Sequence, residues 1–138
     1  MLDFKSCNTE KQITILLDLA KKLWPHFSKE EYKSFAQHVI VICEEWNNSK
    51  KISPDDIYKF IDGGKNEDIS IIQEDSEGYD TDLWDCYIYI VAYINKIAYK
   101  YDKQIYVPQI IETVDDSCYQ KVMDICKNIT ILPPDFFS

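Results

Sequence analysis

An all-α fold, a single compact bundle of about five to six helices with one long acidic loop, is what this sequence predicts. Three observations carry the prediction. The 138 residues include only three glycines and five prolines, too few for the tight turns of a many-stranded fold. Apolar residues make up 46% of the chain and recur mostly at spacings of three and four. Helix-start signatures stand in front of most of these runs. A chain of this length fits one domain with one core, 1–138, with residues 66–82 as an acidic loop within it.

The elements follow in order. "TEKQ" at Thr9 to Gln12 reads as a capping box, with Gln12 reaching back to the first turn. Ile13, Leu16, Leu17, Ala20, Leu23 and Trp24 then form one face, and Pro25 ends the helix. "SKEE" at Ser28 to Glu31 reads as a second box, opening a longer helix with the stripe Tyr32, Phe35, Val39, Ile42, Cys43 and Trp46. "NNSKK" is the turn after it. "SPDD" combines an N-cap serine, proline at the first helical position and two carboxylates that suit the helix dipole. This predicts a helix from Pro54 to Asp62, stopped at Gly63-Gly64. The next stretch has no sustained period, and Glu67 to Gln73 reads as a helical turn or an extended piece inside the loop.

Asp80, Thr81 or Asp82 is the expected cap of a central helix running to Tyr101. Leu83, Tyr87, Ile90, Ile94, Ile97 and Tyr101 define its core stripe, widened by Trp84, Val91 and Ala98. Pro108 turns the chain into a short segment. Asp115 or Asp116 is expected to cap a last helix carrying Tyr119, Val122, Met123 and Cys126, and Phe136 and Phe137 stand in an irregular tail.

Charge is localised. Residues 66–85 hold eight acids and no base, whereas the rest of the chain holds sixteen acids and fifteen lysines. Nearly all of the net charge of −9 therefore belongs to one stretch, and all fifteen bases are lysine. Nucleic acid is disfavoured as a partner, because phosphate contacts need clustered bases. A basic protein is favoured. No basic-plus-apolar leader opens the chain, and the longest apolar run, Cys86 to Ile94, is far short of the ~20 residues of a spanning helix. A cytoplasmic protein without a membrane segment is the expectation.

Chemistry finds little purchase. Five cysteines at wide spacing read as reduced, partly buried thiols, with no close pair for zinc. His26 and His38 read as surface or capping residues. "DTDLWD" from Asp80 fails the calcium-loop pattern, which needs an oxygen ligand at position five and glycine at position six. No nucleophile elbow, zinc-helix motif or phosphate loop occurs. Cofactor, metal and catalytic residues are expected to be none. An enzyme using Asp80, Asp82 and Asp85 is the weakest alternative.

Protein binding remains. Glu74, Asp75, Glu77, Asp80, Asp82 and Asp85 are candidates for electrostatic docking, and Tyr79, Trp84, Tyr89 and Tyr93 for apolar anchoring. The competing reading places the tyrosines and Trp84 in the core and leaves the loop acids as solvated charge. The segment Leu83 to Val114 resembles small all-helical immunity proteins of bacterial polymorphic toxin systems. The matching residues are Trp84 after an acidic stretch, Tyr93 and Tyr99 in the aromatic helix, then Val107-Pro108, Ile111 and Glu112. That resemblance implies a non-catalytic cytosolic inhibitor of a cognate toxin, often acidic because the toxin is a basic nuclease, present as a monomer or weak homodimer. A helical adaptor that binds another basic protein is the alternative.

Overall fold

The computed structural model describes residues 3–63, 68–104 and 106–136; Gly64, Glu67 and Phe137, singled out above, lie outside them. Among the described residues the regular structure is all helical, as predicted. Seven α-helices appear: α1 (Thr9–Leu23), α2 (Glu30–Ser49), α3 (Pro54–Asp62), α4 (Ile69–Asp75), α5 (Tyr79–Tyr101), α6 (Gln109–Glu112) and α7 (Cys118–Lys127). Single turns of 3-10 helix precede α1 and α2.

α5 is the axis, and α1, α3, α4, α6 and α7 all pack on it. Its predicted stripe explains why: Leu83, Trp84, Tyr87, Ile90, Val91, Ile94 and Ala98 are all buried. Burying apolar side chains on nearly every face of one helix removes them from water at about 25 cal/mol per Å². Two polar groups inside this core tie α5 to its neighbours, while the Trp84 indole N–H and Asn95 Oδ1 have no partner among the described residues. The Tyr87 hydroxyl donates to the Ala20 carbonyl at 2.7 Å, tying α5 to α1. Asn95 Nδ2 donates to the Pro54 carbonyl at 2.8 Å, tying α5 to the start of α3. Tyr101, expected in the stripe, is instead 58% exposed, although Ala98 and Tyr99 in the same turn are buried. There it stands edge-on to Trp46, with the Lys50 ammonium beside both rings.

Several predicted caps move by a residue or two. Asn8, one position before Thr9, caps α1 by accepting from the Lys11 N–H. Gln12 does not close a box. It is buried, and its amide donates to the Phe4 carbonyl across the 3-10 turn. Ser28 does not cap α2 either: Lys29 takes the N-cap position, and the Ser28 N–H and hydroxyl both donate to the Asp80 carboxylate. Ser117 occupies the N-cap position of α7, with the Asp115 carboxylate accepting from its N–H. Ser53 and Pro54 start α3 where predicted.

The cysteines are free thiols, four of them buried. Burial pushes Cys43 and Cys118 up to about 12, so both stay protonated. No helix among the described residues is long and apolar enough to cross a membrane.

Candidate functional site

The acidic stretch is more ordered than its composition predicts. Asp68 accepts from the Ile71 N–H and from the Gly63 N–H, so one carboxylate caps α4 and pins it to the end of α3. The Ser70 hydroxyl adds a bond to the Ile61 carbonyl. Ile69 is buried and Ile72 packs on the core, which holds α4 on α5. The expected loop over residues 66–82 thus contains a two-turn helix and the start of α5. Local sequence hides this helix because it is short, and burial of its isoleucines against α5 adds to the Asp68 cap in stabilising it.

The connection between α4 and α5 is three residues, Ser76 to Gly78. Gly78 has φ of 60° and ψ of −138°, a conformation that side-chain-bearing residues avoid, and it occupies the N-cap position of α5. None of Asp80, Thr81 and Asp82 takes that place; they fall inside the first turn, where their charge still suits the dipole. Ser76 and Thr81 share a hydroxyl–hydroxyl hydrogen bond across the turn.

The ten candidate residues separate into groups. Glu74, Asp75 and Glu77 are exposed, with Tyr79 and Asp82 half-buried beside them. Five ion pairs occur among the described residues, and none uses a carboxylate of Glu74, Asp75, Glu77 or Asp82. Asp80 lies behind this surface, 4% exposed and bonded to Ser28. Trp84 has no exposed surface at all and is packed among Phe27, Tyr32, Phe35 and Tyr87, so burial gives it a core position. Asp85 is intermediate: burial lifts its carboxyl above the ordinary value, the Gln73 amide at 2.9 Å pulls it back in part, and nearby Asp82 raises it further.

The two remaining tyrosines face different hollows. Tyr89, two turns after Asp82, lies under the Lys121 ammonium and lines a cavity of about 260 Å³ between the α3–α4 junction and α6–α7. Tyr93, one turn further, donates to Gln12 Oε1 at 2.7 Å, and burial raises its hydroxyl's pKa. It lines a cavity of about 570 Å³ with Thr9, Lys96, Lys100, Tyr101 and Asp116. Lys96 is held there by the carbonyls of Glu112 and Val114.

His26 stacks edge-on to Phe136 and His38 edge-on to Phe60. Among the described residues no group of three or more His, Cys, Asp or Glu is placed to hold a metal ion. The arrangement leaves a carboxylate surface on α4 and the start of α5 that enters no ion pair among the described residues.

A family model for immunity protein Imm6 matches residues 11–129, from the first turn of α1 to the residue pair after α7. The chain belongs to the Imm6 family of immunity proteins. The match spans every α-helix of the bundle except the first two residues of α1, well beyond the segment Leu83 to Val114 that carries the sequence resemblance. No curated protein and no solved structure matches the chain. Membership in an immunity family supports a toxin-neutralising function exercised by binding a cognate toxin.

Exposed positions that sequence reasoning missed lie after α5. Tyr106 is 79% and Ile110 56% exposed, although both belong to an apolar-looking run. Pro108 and Ile111, three residues apart, are buried, so the single turn of α6 turns one face inward and leaves Gln109 and Ile110 outward. Sequence carried a faint signal, the helix-start proline at Pro108.

Proposed function

We propose that this immunity protein neutralises a basic, nuclease-type toxin domain in the cytoplasm by binding it, without catalysis, through the acidic face of α4 and the start of α5. Glu74, Asp75, Glu77 and Asp82 supply the charge, Asp85 extends it along α5, and Tyr79 and Tyr89 supply apolar contact. Asp80, Trp84 and Tyr93 act from behind, holding the surface in place. The carrying observation is that the four leading carboxylates are left out of every ion pair among the described residues, in a chain that otherwise nearly balances its charge. Unpaired like charges on a rigid surface repel one another, a cost that a cationic partner relieves. Such a surface competes with phosphate for a nuclease cleft, or covers the cleft's rim.

The test is association kinetics of the full chain with the toxin domain encoded by the gene beside it. Substituting Glu74, Asp75 and Glu77 together by lysine is expected to slow association about 10- to 100-fold and to flatten its salt dependence. Association that ignores both the substitutions and added salt refutes electrostatic docking. Toxin-dependent growth arrest that the wild-type chain relieves and the triple variant does not would connect the rate to protection.

A further inference from the structure

Four of the five cysteines are buried, and two of these meet. Cys86 lies in the second turn of α5 and Cys126 in the last turn of α7, forty residues apart in the chain. Packing of α7 along α5 brings their sulfurs to 3.9 Å, with the Val122 carbonyl 4.0 Å from Cys86 Sγ. No other pair of cysteine sulfurs among the described residues stands within hydrogen-bonding distance. A disulfide holds its sulfurs at about 2.05 Å. The remaining closure of about 1.9 Å is shared between two side chains that each turn about χ1, so neither helix has to leave the other.

The two thiols are unequal. Their mutual hydrogen bond and burial raise Cys86, and the Asp85 and Asp82 carboxylates push it the same way. The same hydrogen bond lowers Cys126, against the effect of its own burial. Cys126 is therefore the sulfur that ionises first. Access favours it too. Cys86 has no exposed surface in the interior of α5, whereas Cys126 stands in the terminal turn of a ten-residue helix, where fraying opens a path for a small molecule.

We propose that Cys86 and Cys126 are a redox pair, which hydrogen peroxide converts into a disulfide that locks α7 onto α5. In the first step the Cys126 thiolate attacks one peroxide oxygen and the O–O bond breaks. Hydroxide leaves, and Cys126 becomes a sulfenic acid. In the second step the Cys86 sulfur attacks the Cys126 sulfur, the S–S bond forms, and the departing hydroxide takes the Cys86 proton to leave as water. Two thiols lose two electrons and the peroxide gains them. Thiol–disulfide exchange with a small dithiol reverses the bond. Closing a loop of forty residues restricts the unfolded chain more than the folded one, so the oxidised protein is the more stable form. The link lies one residue from Asp85 inside the bundle and leaves Glu74, Asp75 and Glu77 in water. Oxidation thus hardens the helix beneath the docking face without altering its charge.

The test exposes the full chain, reduced and folded, to hydrogen peroxide, then alkylates it in denaturant and maps it by mass spectrometry. A loss of about 2 Da is expected, with Cys86 and Cys126 in one cross-linked peptide. The melting temperature is expected to rise by at least about 5 °C and to fall back with dithiothreitol. Cys86→Ala and Cys126→Ala are each expected to abolish both changes, and Cys86→Ala to leave a sulfenic acid at Cys126 that dimedone captures. Capture at Cys86 in the Cys126→Ala chain instead overturns the order of the two steps. A wild-type chain whose two thiols both stay open to alkylation, or whose cross-links join other cysteines, overturns the proposal, and that result needs no variant to fold. A Cys86–Cys126 link that leaves the melting temperature unchanged overturns the lock. None of these readouts involves the toxin, so they stand or fall apart from acidic docking.

Discussion

Asp80→Ala probes how the acidic surface is held. Asp80 is one of six carboxylates between Gln73 and Asp85, yet its oxygens accept from the Ser28 N–H at 2.9 Å and from the Ser28 hydroxyl, fifty-two residues away in sequence. These bonds clamp the first turn of α5 to the turn that precedes α2. Each is a hydrogen bond to an ionised group, a class whose net contribution is about 1.5–3 kcal/mol, and the charge also favours the N-terminal end of α5. Ser28 itself is exposed, so water recovers part of the loss, and about 2–3 kcal/mol is expected for the alanine variant. Unfolding entropy of about 2.1 cal/mol/K per residue converts that into a melting temperature lower by about 7–10 °C. Asp80→Asn keeps an oxygen for the Ser28 N–H but puts an NH2 donor where the other oxygen accepts from the Ser28 hydroxyl, which can rotate to accept in turn, so its cost is expected at about 1 kcal/mol. A double-mutant cycle with Ser28→Ala, read by chemical denaturation, isolates the clamp and is expected to give a coupling of about 1–2 kcal/mol. A coupling near zero, or an asparagine variant as unstable as the alanine one, refutes the reasoning.

Two further outcomes are expected. Trp84→Ala removes a fully buried ring packed by four aromatic neighbours and is expected to cost about 3–5 kcal/mol in denaturant unfolding. Trp84→Phe is expected to cost much less, since it keeps a ring there and removes an indole N–H that has no partner among the described residues; equal costs refute this. The Asp85 carboxyl, raised chiefly by burial, holds a proton in the folded chain at a pH where the unfolded chain has released it. Its contribution to stability is thus fully present below the ordinary value of 3.8, is lost as pH rises through the folded value, and is flat above it. Solvent screens much of this effect, so the check is a carboxyl NMR titration, and a midpoint at or below 3.8 refutes it.

The α5 axis was legible because its stripe, Leu83 to Tyr101, runs for about five turns, long enough for period to outweigh the β-leaning tyrosines and isoleucines. α3 was legible to the residue because Ser53, Pro54 and two aspartates state its start independently of anything else in the fold. α4 was not. Its seven residues carry a cap and three isoleucines, which read equally well as an extended piece until α5 is there to bury them. Caps were less legible: Ser28, Thr9 and Asp80 each have the right chemistry for a cap, but the folded chain puts Asn8, Lys29 and Gly78 at the N-cap positions, and Ser28 instead donates to Asp80 across the bundle.

What the sequence determined by itself is the class of fold, the place of the charge and the resemblance to immunity proteins. Spacing, composition and motif are local properties, and they survive without knowledge of what lies nearby. Tertiary structure alone decided which acids face water. Glu74, Asp75, Glu77, Asp80, Asp82 and Asp85 look alike in a row of letters. Only packing separates the exposed Glu74, Asp75 and Glu77 from Asp80, turned inward to Ser28, and from Asp85, half-covered beside Gln73. The hollow lined by Tyr89 belongs to the same category, since α5 and four helices packed around it each contribute to its lining.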